Sequence, residues 1–164
     1  MSAIRGAIAR IVERNLESIL DATMDGFIAE IPRIKESSPE ARARVRASTR
    51  RATLAFLALY ADAESPARML LDEARRATID RAGEAYEREE ILAMFRIARH
   101  TIFHRARDLV QAEMGHDLAR EEDTKVALEA FIAELEQNES LFPQADDALH
   151  HLLVEAEREE PDVG

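Results

Sequence analysis

Apolar residues recur every three or four positions along most of the chain, which is the periodicity of amphipathic helices. The stretch from Ala74 to Val110 shows the pattern most fully. Its second half carries an apolar stripe made of Ile91, Phe95, Ala98, Ile102, Ala106 and Leu109, widened by Leu92 and Phe103. We expect this stripe to be the buried face of a helix that runs from about Glu87 to Met114, with Gly115 ending it in the left-handed conformation.

The first helix is predicted from about Ala3 to Ile31, with a single apolar seam along its length. The seam consists of Ile4, Ile8, Ile11, Leu16, Ile19, Met24, Phe27 and Ile31. Pro32 ends this helix because the residue before a proline is displaced from the helical region. A helix this long and this apolar on one side packs against other helices or against a copy of itself.

Two serine-proline pairs predict the starts of the second and third helices. In the first pair, Ser38 can cap the helix, Pro39 suits the first helical position, and Glu40 places an acid in the first turn. Residues 33–38 are then a connector. The second helix has an arginine-rich first half and an apolar second half that we expect in the core. The pair Ser65-Pro66 opens a third helix, which weakens at Gly83.

The last third of the chain predicts a fifth helix and a shorter sixth. Asp117 can cap the fifth helix, and the sixth begins at Asp146 or Asp147. The residues of the fifth helix expected to face inward are Leu128, Phe131, Ile132 and Leu135. Short connections favour antiparallel neighbours, so the predicted fold is an all-α, up-and-down bundle of five to six helices. We expect residues 1–158 to form one domain and residues 159–164 to be a charged tail or a linker to an output module.

Composition agrees with a helical domain and narrows the function. Hydrophobic residues make up 46% and charged residues 34% of the 164 positions, with only five glycines and five prolines. The net charge of −11 repels phosphates and anionic lipids, so we expect no direct nucleic-acid binding and no membrane binding. There is no cysteine, and neither a signal peptide nor an apolar run of ~18 residues is present. We therefore expect a cytoplasmic protein.

His100 and His104 lie four positions apart on the predicted fourth helix, so both project from one face. That spacing permits chelation of a metal or ligation of a haem. The ligand set is incomplete, however, and neighbouring arginines such as Arg96 and Arg99 disfavour a bound cation. We interpret the pair as partly exposed structural histidines, and we expect no metal site and no cofactor.

Arginines supply the best candidate contact to an anion or an acidic partner. The candidate residues are Arg42, Arg46, Arg50, Arg96 and Arg99. The alternative interpretation is a solvated helix face that pairs with the 33 acidic residues of the chain. No nucleophile motif and no convergent carboxylate pair is found, so we expect no catalytic residues and no enzyme.

Two stretches resemble known bacterial regulators. Residues 27–57 contain Glu30, Ile31 and Pro32, which resemble a segment near the start of PucR-type transcriptional regulators. Residues 74–108 are similar to a helix pair that this family shares with the N-terminal domains of RsbR-type antagonists of the stress pathway. The matching positions there are Ala77, Arg81, Ala82, Ile91, Leu92, Phe95, Arg96, Ile97 and Ala98. The chain departs from the pattern at Gly83, which comes early, and at Ile34, where an aromatic residue is common.

This resemblance implies a sensory or dimerising N-terminal helical domain of a cytoplasmic bacterial transcriptional regulator whose DNA-binding module lies elsewhere. It also implies a homodimer, a possible small-molecule effector, and, as an alternative fold, a globin-like helical arrangement without haem. Two other functions stay open from the residues themselves. One is a haem- or small-molecule-binding sensor, and the other is an adaptor that binds an acidic partner through the arginine cluster.

Overall fold

The computed structural model describes residues 2–62, 86–137 and 139–140. The elements in these ranges are α1 (Ser2–Arg14), α2 (Leu16–Glu30), α3 (Pro32–Lys35), α4 (Pro39–Ala61), α5 (Arg88–Met114), a 3-10 turn (Leu118–Arg120) and α6 (121–137). The described residues contain helices and no strand, which confirms the predicted all-α bundle. The predicted helices that begin at Ser65 and at Asp146 or Asp147, and the tail 159–164, lie outside the described residues.

The predicted single first helix is wrong, because the chain turns at Asn15 between α1 and α2. The Asn15 side chain donates to the Ile11 carbonyl at 2.7 Å, and its backbone N–H reaches the Val12 carbonyl at 3.1 Å. A side-chain amide that binds the local backbone in this way competes with continued helix. All eight residues of the predicted seam are nevertheless buried, so the apolar face passes through the turn.

Prolines and a serine set the next boundaries. Ile31 is extended, at φ −114° and ψ 101°, and α2 therefore ends before Pro32 as predicted. The expected connector 33–38 instead begins with the helical turn α3, where Pro32 occupies the first position. The predicted cap is confirmed, since the Ser38 hydroxyl accepts from the Ala41 N–H at 3.1 Å and starts α4.

Helix α5 has the predicted bounds but not the predicted end geometry. It begins after Glu87, whose N–H donates to the Glu90 carboxylate at 2.9 Å. Gly115 follows its last residue at φ −65°, so the expected left-handed conformation is wrong. The glycine is needed for a different reason. A Cβ at this position would lie 2.3 Å from the Gln111 carbonyl oxygen, so no other residue fits there without a shift.

The buried face of α5 is rotated relative to the predicted stripe. Its buried residues are Ile91, Met94, Ile97, Ile102, Ala106 and Val110. Phe95, Ala98 and Leu109, which we expected at the centre of the stripe, are only half-buried. The rotation arises because two different helices cover α5. Its Ile97 packs at Gly26 of α2, whereas its end meets α1 near Arg14.

Neighbouring helices run antiparallel, as short connections predict. Along α4, Arg46 pairs with Asp21 and the Tyr60 carbonyl accepts from Arg5, so α4 runs opposite to α1 and α2. Helix α5 also runs opposite to α1 and α2, and α6 returns along α5. The globin-like alternative stays a prediction.

The interior is divided into two apolar clusters. The larger cluster consists of Ile4, Ile8, Ala9, Ile11, Val12, Ile19, Phe56, Leu57, Tyr60, Ile102, Ala106, Val110, Ala127, Phe131 and Leu135. The smaller cluster consists of Met24, Phe27, Ile31, Ile34, Val45, Met94 and Ile97. Ala98 packs against both. The buried hydroxyl residues Thr23, Ser48, Thr49 and Thr53 come between the two clusters along α2 and α4, and we call them the hydroxyl layer.

Candidate functional site

A cavity of about 60 Å³ lies where the two clusters meet, and we call it the inter-cluster cavity. It is lined by Phe27, Thr49, Ala52, Thr53, Phe56, Met94, Phe95, Ala98, Arg99, Ile102 and Leu135. Phe27 and Met94 come from the smaller cluster, and Phe56, Ile102 and Leu135 come from the larger one. Helices α2, α4, α5 and α6 therefore all contribute to its wall.

The wall of the cavity includes hydroxyl residues, but it is less polar than these residue types suggest. The Thr49 hydroxyl donates to the Val45 carbonyl and the Thr53 hydroxyl to the Thr49 carbonyl, each at 2.8 Å. On α2, Thr23 donates to the Ile19 carbonyl at the same distance. These bonds satisfy buried hydroxyls within their own helices. The cavity wall on this side is consequently suited to an apolar guest.

Arg99 brings a charge to the cavity. Its Nε donates to the Glu139 carboxylate at 2.5 Å, and its Nη1 lies 3.7 Å from Glu136. The arginine side chain is 27% exposed, so the guanidinium sits at the rim rather than in the interior. The cavity thus has an apolar wall and, at its mouth, an arginine that is paired with two glutamates.

The size of the cavity limits what it can hold without rearrangement. A cavity of roughly 150 Å³ accepts a benzene-sized molecule, and a water needs roughly 10–15 Å³. At about 60 Å³ the inter-cluster cavity accepts only a very small guest as it stands. A larger guest must either project through the mouth at Arg99 or move the helices that line the cavity.

The predicted arginines of α4 pair with acids and carbonyls of their own chain. Arg46 donates to Asp21 at 2.6 Å and to Glu17 at 2.8 Å, and Arg50 donates to Glu17 at 3.1 Å. The hydrogen bond from Arg46, followed by that from Arg50, lowers the pKa of the Glu17 carboxyl, and Glu17 in turn raises the pKa of Arg46. Arg42 donates to the carbonyls of Ile34 and Lys35.

The arginines of α5 point to other neighbours. Arg96 lies 3.4 Å from Glu30 at the end of α2, and Arg99 faces α6. The structure does not bring the five predicted arginines into one site, although Arg99 reaches the inter-cluster cavity. An external anion at Arg42, Arg46 or Arg50 would compete with internal acceptors. Their role as a partner contact stays a prediction.

The two candidate histidines lie side by side on α5. The rings of His100 and His104 have centroids 4.2 Å apart; His100 is exposed and His104 is half-buried. Partial burial lowers the pKa of His104, with His100 and Arg107 adding to the shift and Asp108 opposing it. No group of three or more metal-ligating side chains occurs in the part of the chain that the structure describes. The haem-ligand hypothesis stays a prediction.

Sequence patterns did not predict the cavity. The stripe predicted on α5 did not include Met94. Thr53 lies in the second half of the second helix, which we predicted as an apolar part of the core. A weak signal was present, because Thr49 and Thr53 stand four residues apart and interrupt the apolar face of α4. That spacing indicates hydroxyls on a buried face but does not indicate which helices meet there.

Comparison with protein-family models matches residues 17–137 to the RsbT co-antagonist protein rsbRD N-terminal domain. The match extends the predicted resemblance at both ends, from the first turn of α2 to the end of α6. It includes every residue that lines the inter-cluster cavity. No curated protein and no solved structure matches the chain. Among the described residues, no helix has the length and apolarity needed to cross a membrane.

Proposed function

Because the chain belongs to the family of rsbRD N-terminal domains, we propose that it is the signal-input and dimerisation domain of a bacterial regulator. In this proposal the domain is non-enzymatic and cytoplasmic, and it belongs to a regulator of transcription without itself binding DNA. The net charge of −11 supports the last point, since a surface of that sign repels the DNA backbone.

The observation that carries the proposal is the inter-cluster cavity inside the segment that defines the family. A guest in this cavity contacts both apolar clusters and four helices at once. A ligand shifts a conformational equilibrium only by binding one state better than the other. In this proposal the cavity supplies that difference, because a guest larger than the present volume fits inside only when the helices that line it move apart.

Dimerisation in this proposal uses faces other than the predicted seam. The seam of α1 and α2 is buried against helices of the same chain, so it does not need a second copy. In the described residues, the large hydrophobic side chains that remain exposed are Leu118, at 80%, and Val126, at 38%. Support for a homodimer comes from the resemblance to PucR-type and RsbR-type proteins.

The proposal is tested with xenon, an apolar probe that enters dry cavities. We expect xenon pressure to shift the NMR methyl signals of Met94 and Ile102, which line the cavity. If occupancy biases helix packing, signals of residues further away in both clusters, such as Ile34 and Val110, shift as well. In the same samples, light scattering should give twice the 18.5 kDa mass of one chain.

The matched variants are two alanine substitutions on α4. Ala52→Leu fills the inter-cluster cavity and should abolish the xenon shifts, whereas Ala58→Leu lies on the exposed side and should leave them unchanged. Xenon shifts that stop at the lining residues would contradict a signal-input role. A strictly monomeric mass at micromolar concentration would contradict dimerisation.

A further inference from the structure

A second and larger space opens between the last turns of α5 and the first turns of α6, and its wall includes Val110 of the larger cluster and Leu128, which packs against that cluster. We call this space the α5–α6 groove, and its volume is about 380 Å³. Its apolar floor is formed by Phe103, Val110, Met114, Leu128 and Ile132. Ligand pockets commonly measure roughly 300–1,000 Å³, so the groove has the size of a binding site.

One residue that lines the groove has a hydroxyl without a partner. The Thr124 Oγ1 is shielded from solvent and makes no hydrogen bond. By contrast, Thr23, Thr49 and Thr53 each donate to the carbonyl four residues earlier. Thr124 does not, and its fourth preceding residue, Arg120, belongs to the 3-10 turn rather than to the helix.

An unpaired shielded hydroxyl is unfavourable, and native proteins rarely retain one without a reason. Thr124 lines the groove, so rotation of its side chain about χ1 would bring the hydroxyl to the groove surface, where a molecule on the apolar floor could supply the missing partner. The hydroxyl can donate to a carbonyl or exchange a hydrogen bond with another hydroxyl. It therefore marks where the polar group of a ligand would lie.

The charges around the groove favour an uncharged ligand. Both signs are present on the rim, with the cations Arg107 and Lys125 opposed by the acids Asp117, Glu121 and Glu129. Arg107 also lies 3.6 Å from Asp108, which reduces its pull on an external anion. The acids outnumber the cations by one, so the rim repels a carboxylate. All three acids are exposed, and solvent screening leaves them little attraction for an ammonium group.

We propose that the α5–α6 groove binds a small uncharged molecule with an apolar body and one hydroxyl or carbonyl group. The apolar body covers Phe103, Met114 and Leu128, and the polar group pairs with the Thr124 hydroxyl. This site is separate from the inter-cluster cavity, so the proposal does not depend on the signal-input function.

A matched series of three probes tests the inference: benzyl alcohol, toluene and benzoate share a ring and differ in the attached group. Each is titrated into the full chain while the NMR methyl signals of Met114, Leu128 and Ile132 are followed. Benzyl alcohol should bind most tightly, toluene more weakly and benzoate most weakly. Tightest binding by benzoate, or no shift of these signals with any probe, would overturn the proposal.

The Thr124→Val variant removes the hydroxyl and keeps the shape. The variant should lower the affinity for benzyl alcohol about 2- to 10-fold, which is the usual effect of losing one hydrogen bond. The affinity for toluene should stay unchanged. Thr101→Val, on α5 outside the groove, should change neither affinity, and circular dichroism checks that both variants fold.

Three other outcomes would count against the inference. If Thr124→Val lowered the affinities for benzyl alcohol and toluene equally, the hydroxyl would have a structural role only. Shifts confined to Met94 and Ile102 would place the probes in the inter-cluster cavity instead. Groove signals that move with protein concentration in the absence of a probe would identify a second copy of the chain as the occupant.

Discussion

At the scale of single residues, Glu17 shows how an exposed carboxylate can make stability depend on pH. Arg46 and Arg50 both donate to it, which lowers its pKa from the usual 4.5. A carboxyl with a lowered folded-state pKa contributes stability above its unfolded pKa, and this contribution disappears as pH falls through the folded-state value. We expect Glu17→Gln to lower the melting temperature at pH 7, with the difference from wild type shrinking steadily below pH 4.5.

Circular dichroism melts between about pH 3 and pH 7 measure this difference. Glu36→Gln is the control, since the described residues show no ion pair at Glu36, and it should produce no such pH-dependent difference. A melting-temperature difference for Glu17→Gln that stayed constant into acid would contradict the electrostatic explanation.

The same residues show that the local sequence does not reveal which side chains will be partners in the fold. The sequence identified Arg46 and Arg50 as candidates for an anionic contact, because five arginines crowd residues 42–51. It did not identify the acceptor, because Glu17 is 29 positions from Arg46 and only the antiparallel packing of α4 on α2 brings them together. Residue types could be predicted here, but partners could not.

At the scale of elements, α2 and α5 cross at a glycine. A Cβ on Gly26 would lie 2.7 Å from Cγ2 of Ile97, a branched and stiff side chain. Overpacking costs about 1–3 kcal/mol, and alanine recovers up to about 1 kcal/mol of helix propensity. We expect Gly26→Ala to lower the free energy of unfolding by about 0–2 kcal/mol, measured by urea denaturation.

A double-mutant cycle separates the clash from other effects. Ile97→Ala removes Cγ2, so the double variant should be more stable than the sum of the two single changes by about 0.5–3 kcal/mol. Ile97→Val retains the branch at Cβ and should not relieve the clash. Gly6→Ala is the matched control, because a Cβ there meets its nearest atom at 3.4 Å and should not destabilise the protein. Additive effects for Gly26 and Ile97 would show that the crossing is not tight.

Elements differed in how well periodicity predicted them. Every residue of the predicted seam of α1 and α2 is buried, because one apolar face continues on both sides of Asn15, although the seam did not include the equally buried Val12 and Leu20. The stripe of α5 was predicted with the wrong rotation, because its two halves are covered by different helices. A single helical period predicts the buried face of a helix that packs against one neighbour. It does not predict the buried face of a helix that several neighbours cover.

At the scale of the whole molecule, the division of the interior into two clusters is the feature that sequence could not predict. Each cluster is assembled from residues of α2, α4 and α5, which lie far apart in the sequence. The helical class followed from composition and periodicity. The inter-cluster cavity followed only from how the helices meet.

Helix α1 precedes the segment that matches the family, yet it supplies four large aliphatic side chains, fully or nearly fully buried, to the larger cluster. These are Ile4, Ile8, Ile11 and Val12. Burial of such a side chain is worth about 1.5–3 kcal/mol, so the four together contribute about 6–12 kcal/mol. Native domains have a total stability of only about 5–15 kcal/mol. The family segment alone is therefore expected to depend on this helix for its stability.

Removal of residues 2–14 should accordingly abolish cooperative unfolding, seen as the loss of a sharp thermal transition while helical circular dichroism persists. Ile8→Ala is the graded form of the same test and should cost about 2–5 kcal/mol, because Ile8 is fully buried. Arg10→Ala, on the exposed side of α1, should cost far less. Cooperative unfolding of the shortened chain at wild-type temperature would mean that the larger cluster closes without α1. In that case the bundle begins at α2, where the family match begins.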